Sequence, residues 1–260
     1  MLEPVQYLLG IGSGALVGFV LSLIGGGGSI LAVPLMVYLV GVSNPHVAIG
    51  TSALAVAANA LIGLINPLRQ RTVKWRCAIV FAASGLAGAF AGSSAGKAID
   101  GHKLLFLFAL VMIIVGALML RNRHEHGDDS VVLGRGNAPK LMGYGIGSGL
   151  FSGFFGVGGG FLIVPGLIAA TGMPITYAIG SSLIAVSAFG LTTAANYAVA
   201  GLIDWPLAVV FIAGGALGSF LGARVSKRLS GAQARLTTLF AGLIFVVALY
   251  MIWQSIRRLG

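Results

Sequence analysis

Long apolar stretches alternate with short polar breaks along the whole chain, and the pattern of the first half returns in the second. The first stretch runs from about Val5 to Ile24 and meets a run of glycines, after which a shorter one continues from Ile30 to about Val40. Gly41 to Pro45 interrupts the pattern. A third stretch runs from His46 to about Ile65 and ends at Asn66-Pro67, a fourth from Cys77 to about Gly96, and a fifth from Leu104 to Leu120. Stretches of about 20 apolar residues predict helices that cross a bilayer. Arg121 to Lys140 is the one extended polar connector.

The second half replays these elements. Gly25-Gly26-Gly27-Gly28-Ser29-Ile30-Leu31-Ala32-Val33-Pro34 is answered by Gly156-Val157-Gly158-Gly159-Gly160-Phe161-Leu162-Ile163-Val164-Pro165, and upstream Gly10-Ile11-Gly12-Ser13-Gly14 by Gly145-Ile146-Gly147-Ser148-Gly149. Downstream, Gly50-Thr51-Ser52 matches Gly180-Ser181-Ser182, Asn66 matches Asn196, Val73-Lys74-Trp75 matches Ile203-Asp204-Trp205, and Gly88 and Gly92 match Gly218 and Gly222, all at one offset. The chain is therefore expected to hold two homologous membrane repeats, residues 1–121 and 141–260, joined by a polar cytoplasmic linker, 122–140. A glycine run has no side chains to hold it helical, so each copy predicts a break that leaves main-chain N–H groups unpaired. In lipid such a break is tolerated only where the backbone is buried in protein or lines a cavity. Close helix packing is the competing reading, but three or four consecutive glycines exceed what a small-residue contact needs. Gly88, Gly92 and Gly96, spaced by four, read as a packing stripe.

Composition agrees. With 57% hydrophobic and 8% charged residues, this is an integral membrane protein, since a soluble domain carries about three times that charge. The first apolar stretch lacks a basic leader and recurs as part of the repeat, so it is expected to be retained rather than cleaved. The net charge of +10 is no nucleic-acid footprint, because the basic residues lie in short loops without a basic helix or aromatic platform. The expected partners are the lipid bilayer and a small anionic substrate, with monomer and homo-oligomer both open. Cys77 is the single cysteine, which excludes an internal disulfide.

Equivalent loops have exchanged their charge. The loop after the third stretch carries Arg69, Arg71, Lys74 and Arg76 in the first half and only Asp204 in the second; the loop after the fourth carries Lys97 and Lys103, against Arg224, Lys227, Arg228 and Arg235. Inverted halves place the first and last of these groups, with Arg121, Arg123, Arg135 and Lys140, on the cytoplasmic side, and leave Lys97, Lys103, Arg257 and Arg258 outside. Parallel halves segregate the charges less well, so the positive-inside rule favours inversion. Inversion demands an odd number of crossings per half. With three plain helices, each glycine-broken element then crosses an even number of times, as a re-entrant hairpin or two short spans; the competing count makes it one bent span, eight crossings in all.

Every acidic residue, Glu3, Asp100, Glu125, Asp128, Asp129 and Asp204, falls in a loop or at a segment end, so the membrane interior holds no carboxylate for a proton relay or a cation site. Neither H-E-x-x-H nor G-x-S-x-G occurs, and Gly25 to Gly28 is not followed by the Lys-Ser/Thr of a phosphate-binding loop. No enzymatic activity, cofactor or metal is expected, and His124 and His126 beside acidic residues read as part of a solvated connector. What remains is neutral polarity at membrane depth next to the glycine breaks. The candidate substrate site consists of Gly26, Gly27, Gly28, Ser29, Thr51, Ser52 and Asn66 in one half and Gly158, Gly159, Gly160, Ser181, Ser182 and Asn196 in the other. Helix N-termini at Ser29 and Phe161 would turn N–H donors and a positive dipole end toward a small anion, and broken helices in corresponding places point to a transporter site.

The twin glycine motifs, Phe154 to Pro165 above all, with Gly180-Ser181-Ser182 and Gly201-Leu202-Ile203-Asp204-Trp205 after it, resemble the TauE/SafE family of sulfite exporters and related anion transporters, over essentially the whole chain. The resemblance implies a multi-pass permease of the bacterial inner membrane for a small anion such as sulfite, thiosulfate, an organosulfonate or a carboxylate. The first copy departs from the motif: Leu23-Ile24-Gly25-Gly26-Gly27-Gly28-Ser29 lacks the Phe-x-Gly-x-Gly form and carries about four extra residues before its glycines. The expectation is thus an all-α polytopic bundle of two inverted repeats, each with a glycine-broken element, that exports an anion down the membrane potential. A passive anion channel and a non-transporting membrane scaffold are the rivals.

Overall fold

The computed structural model describes residues 3–121, 134, 136–228 and 233–259, so the His124 to Asp129 cluster of the connector lies outside the described residues. Among those described there is no strand. The elements are α1 (Pro4–Ile24), a 3-10 stretch (Gly25–Leu31), a single turn α2 (Ala32–Pro34) running into a π stretch (Leu35–Leu39), α3 (Pro45–Arg69), α4 (Trp75–Ala98), α5 (Gly101–Arg121), α6 (Ala138–Phe155), α7 (Gly160–Thr171), α8 (Ile175–Val199), α9 (Trp205–Arg228) and α10 (Gln233–Leu259). Among the described residues, five helical stretches are long and apolar enough to cross a membrane: Pro4–Leu23, Pro45–Arg69, Trp75–Ala98, Ile175–Val199 and Trp205–Val225. Gly27–Leu39, Gly101–Ala117, Gly160–Thr171 and Phe240–Ser255 are shorter apolar helices.

Helix starts follow the local sequence. Asn44 Oδ1 accepts the His46 N–H at 2.9 Å ahead of α3, whose first residue is Pro45, and Asp204 Oδ1 accepts the Leu207 N–H at 3.0 Å in the first turn of α9. Asp100 does the same for α5 through the His102 and Lys103 N–H groups. The bond from Lys103, with that from His102 and the positive charges of both residues, holds the Asp100 carboxyl below the usual carboxylate range.

Two glycine seams bind the helices in pairs. A Cβ on Gly14 or Gly18 of α1 would run into the backbone of Phe211 or Gly215 in α9, and one on Gly218 or Gly222 into Ala15 or Phe19. The α4–α6 seam has the same design: Gly145 meets Phe81, Gly149 meets Gly85, and Gly88 and Gly92 meet Ile146 and Leu150. Residue numbers rise together along both seams, so the helices run parallel in each pair. Small residues let backbones approach this closely, which in a membrane replaces the hydrophobic drive that helices lack against lipid. The register contains a difference from the sequence match. Gly14, not Gly10, occupies in α1 the place that Gly145 occupies in α6, because the four additional residues of the first copy amount to about one helical turn and leave the glycine face in phase.

Between the pairs, α3 and α8 cross in opposite directions. Gly50 lies against Leu202 and Tyr197, Gly190 against Ala53 and Ala57, and Gly180 against Pro67 and Thr72, so numbers rise on one helix as they fall on the other. The segment after the first glycine run doubles back. Gln6 Nε2 donates to the Val40 carbonyl at 3.0 Å, which brings the end of that segment beside the start of α1. α5 and α10 pack on each other through Gly116 and Phe245, and Tyr250 of α10 meets Tyr38 edge-on at 5.4 Å.

Candidate functional site

The site is built around the turn from α6 to α7. Gly156, Gly158 and Gly159 have φ of +68°, +66° and +63°, the left-handed region that costs an L-residue with a side chain about 1–2 kcal/mol. Glycine is what allows the chain to end one helix and start the next within so few residues. Gly156 N–H still bonds back to Ser152 at 2.9 Å, and the Gly159 carbonyl accepts from Leu162 and Ile163 at 2.9 and 3.1 Å. Among the described residues, the N–H groups of Val157, Gly158 and Gly159 reach no backbone acceptor, and those of Gly160 and Phe161 open α7, where no intrahelical partner exists. The whole turn is buried.

Three helices close around it. Ile49 of α3 packs on Gly156, and Ser52 Oγ donates to the Gly156 carbonyl at 3.3 Å as well as to its own helix at Ile49, 3.0 Å. Val56 and Val186, near the middles of α3 and α8, stand on either side of Gly158. Ser152 of α6 lies against Gly159; it is fully buried, and its hydroxyl has no partner among the described residues. The turn therefore sits at the depth of the helix midpoints, with unpaired N–H groups, a spare hydroxyl and the positive end of α7 in one place. Such an arrangement can hold a small anion without any charged side chain.

The other candidate residues are spread over the bundle. Gly26, Gly27, Gly28 and Ser29 form the 3-10 stretch, which packs against α7; Ser29 is fully buried and hydrogen-bonded, and Gly28 is pressed on Val20 and Leu21. Thr51 Oγ1 accepts the Asp204 N–H at 2.9 Å and Ser181 Oγ accepts the Lys74 N–H at 2.9 Å, so both hydroxyls anchor the chain just ahead of α9 and α4. Ser182 donates to the Ile179 carbonyl of its own helix at 2.8 Å. Asn66 Oδ1 accepts from Gln70 at 3.2 Å and lines a small cavity of about 70 Å³ with Ser22, Thr72 and Thr176. Asn196 bonds to Ser93, Ser94 and Lys97 at the other end of the antiparallel α3–α8 pair. The fold thus gathers Gly158, Gly159, Gly160 and Ser52 at the turn, with the 3-10 stretch beside α7. Thr51 and Asn196 lie toward one end of the bundle, Asn66 and Ser181 toward the other.

Ser152 and Lys97 gain weight only from the structure, and Asn59, legible in the sequence as neutral polarity at membrane depth, gains a defined setting. Ser152 is one turn before Gly156, a spacing that could have flagged it. Lys97 reads in the sequence as a mark of topology, and the structure ties it to Asn196. Asn59 is fully buried against Gly215, and neither of its amide atoms has a partner among the described residues.

Comparison with known proteins places these features. Residues 10–251 match the family model described as "Sulfite exporter TauE/SafE". A probable membrane transporter protein of Xylella fastidiosa (strain 9a5c) is 53% identical over 247 residues, covering 94% of both chains. The probable membrane transporter protein YunE of Bacillus subtilis (strain 168) is 26% identical over 83% of this chain and 87% of its own. No solved structure gives a significant match. A match running through nearly all the described helices, five of them long enough to span a bilayer, means that the chain belongs to the TauE/SafE sulfite exporter family and is a multi-pass membrane transporter.

Proposed function

We propose that the protein exports a small anion, of the sulfite, thiosulfate, organosulfonate or small-carboxylate class, across the bacterial inner membrane, and that the anion binds at midplane on the turn from Gly156 to Phe161. The observation that carries this reading is the left-handed glycine turn with its unpaired N–H groups and the buried, unpartnered Ser152 hydroxyl beside it. Hydrogen bonds to a charged group are worth about 1.5–3 kcal/mol each, so a few of them offset much of an anion's lost hydration. The glycines and Ser29 of the 3-10 stretch complete the site from the first half, with Ser52 fixing the turn. Thr51, Ser181, Ser182, Asn66 and Asn196 act at the two ends, where the path opens and closes.

In the same reading the chain is two inverted repeats, residues 1–121 and 141–260, joined by a cytoplasmic linker, 122–140. The antiparallel crossing of α3 and α8 supports it, as does the reciprocity of their bonds: Asp204 to Thr51 and Lys74 to Ser181 are the same contact moved by one constant offset. The doubling back after α1 supplies the even number of crossings that inversion requires. With no carboxylate inside the spans, the membrane potential drives export; one charge is worth about 2.3 kcal/mol per 100 mV, more than tenfold. Proteoliposomes loaded with labelled sulfite test this. Release that accelerates when a valinomycin potassium gradient makes the interior negative, and that saturates with substrate, is the expected result. Release indifferent to potential but dependent on a pH gradient would overturn the electrogenic reading, and absent release would overturn transport of this anion.

A further inference from the structure

Among the described residues, the positive charge of Lys97, in the last turn of α4, is held by neutral groups alone. Its Nζ donates to the Asn196 carbonyl at 2.9 Å and to Asn196 Oδ1 at 2.8 Å, and lies 5.8 Å from the centre of the Tyr197 ring. Asn196 Nδ2 in turn donates to Ser93 Oγ at 2.6 Å and Ser94 Oγ at 3.0 Å. Among the described residues no carboxylate pairs with Lys97; of the acidic groups at this end, Asp100 and Asp204 are engaged by the N–H groups that begin α5 and α9, and Glu3 stands exposed ahead of α1. A neutral acceptor satisfies a hydrogen bond but cancels no charge, and a half-buried ammonium with its charge uncancelled draws anions toward it.

Capping the end of α8 accounts for the bond to the Asn196 carbonyl, since helix-end carbonyls need donors. It does not account for the second bond, to the side-chain amide, or for that amide's own hold on Ser93 and Ser94. The cluster also stands beside the glycine turn: Gly96, next to Lys97, lies against Phe154, two residues before Gly156. In the other half, the positions that match Ser93 and Ser94 at the same offset hold Ala223 and Arg224, so the hydroxyl pair exists at one end only.

We propose that Lys97, Ser93, Ser94 and Asn196 form a second anion site, at the mouth of the bundle nearest the turn. A sulfonate or oxyanion takes the place of Asn196 Oδ1 on the Lys97 ammonium, while the two hydroxyls and the freed amide donate to its remaining oxygens. This site rests on the reading of the protein as an anion transporter but is separate from the glycine turn.

Calorimetric titration of the purified full chain with methanesulfonate tests it, using Lys97→Gln, Lys97→Arg, Asn196→Asp and Gly159→Leu. Asn196→Asp sets a carboxylate against the ammonium, neutralising it without removing the contact, and so stands in if Lys97→Gln folds poorly. Two sites are expected in the unmodified protein. Lys97→Gln and Asn196→Asp should weaken one of them about tenfold or more, the loss of one charge-assisted hydrogen bond; Lys97→Arg should keep it, and Gly159→Leu should lose only the other. Wild-type binding in folded Lys97→Gln and Asn196→Asp, with loss confined to Gly159→Leu, overturns the mouth site and leaves the turn standing. A site that dioleoylphosphatidylglycerol occupies and methanesulfonate does not displace would be a lipid phosphate site and overturns it too. No binding to the unmodified protein overturns both readings.

Discussion

Replacing Gly159 by alanine adds a single methyl group, and the structure gives its cost. The residue sits at φ +63°, where a side chain costs about 1–2 kcal/mol. The new Cβ would lie 2.5 Å from Ser152 Cβ, 3.0 Å from Ser152 Oγ and 3.2 Å from the Ser148 carbonyl. Ser152 cannot retreat, because its neighbour Gly153 already presses α6 on the Ala89 carbonyl of α4. Overpacking of this kind adds about 1–3 kcal/mol, so the turn loses about 2–5 kcal/mol and its least costly escape is to rotate the Gly158 and Gly159 N–H groups away. Gly172 is the control: φ is +74°, nothing lies within 4 Å of its Cβ, and its alanine variant carries only the backbone term. Sulfite efflux from proteoliposomes, with melting temperature and inserted fraction measured on the same preparations, separates the two. Gly159→Ala should lose most transport while remaining inserted, and Gly159→Leu all of it; Gly172→Ala should transport nearly normally despite a lower melting temperature. Normal Vmax and KM in Gly159→Leu would mean that the anion does not bind on this turn.

The seams make a second forecast: Gly18→Leu should destabilise the bundle by at least ~1–3 kcal/mol in a thermal melt, because its Cβ enters the Gly215 backbone, whereas Gly12→Leu, with nothing within 4 Å, should leave the melt unchanged. Ser181→Ala and Thr51→Ala each remove a hydroxyl that accepts a backbone N–H, so each should cost about 0.5–2 kcal/mol of stability and the two should agree closely, since the contacts are counterparts. Cysteines introduced near Arg71 and Lys227 in a Cys77→Ala background should both label from the cytoplasmic side; opposite sides would sink the inverted arrangement.

Periodicity and composition were enough for the helices, because a bilayer demands long apolar segments whatever they pack against. The matching of Asn66 with Asn196 and of Gly50-Thr51-Ser52 with Gly180-Ser181-Ser182 was likewise legible without coordinates, and so was the presence of a break at each glycine run. How the two runs differ was not. The run at Gly25 winds as a 3-10 stretch while that at Gly156 turns through left-handed residues, and the backbone conformation of a glycine follows from what surrounds it, since glycine itself prefers neither. The same holds for hydroxyls and amides. Thr51, Ser152 and Ser181 are alike in sequence, small polar residues in apolar helices. Only the crossing of α3 and α8 decides that Thr51 and Ser181 are occupied by backbone N–H groups from distant loops while Ser152, beside the turn, is not. A hydrogen bond joins residues more than a hundred positions apart through helix packing, and packing depends on the shape of whole faces, which no local stretch of sequence contains.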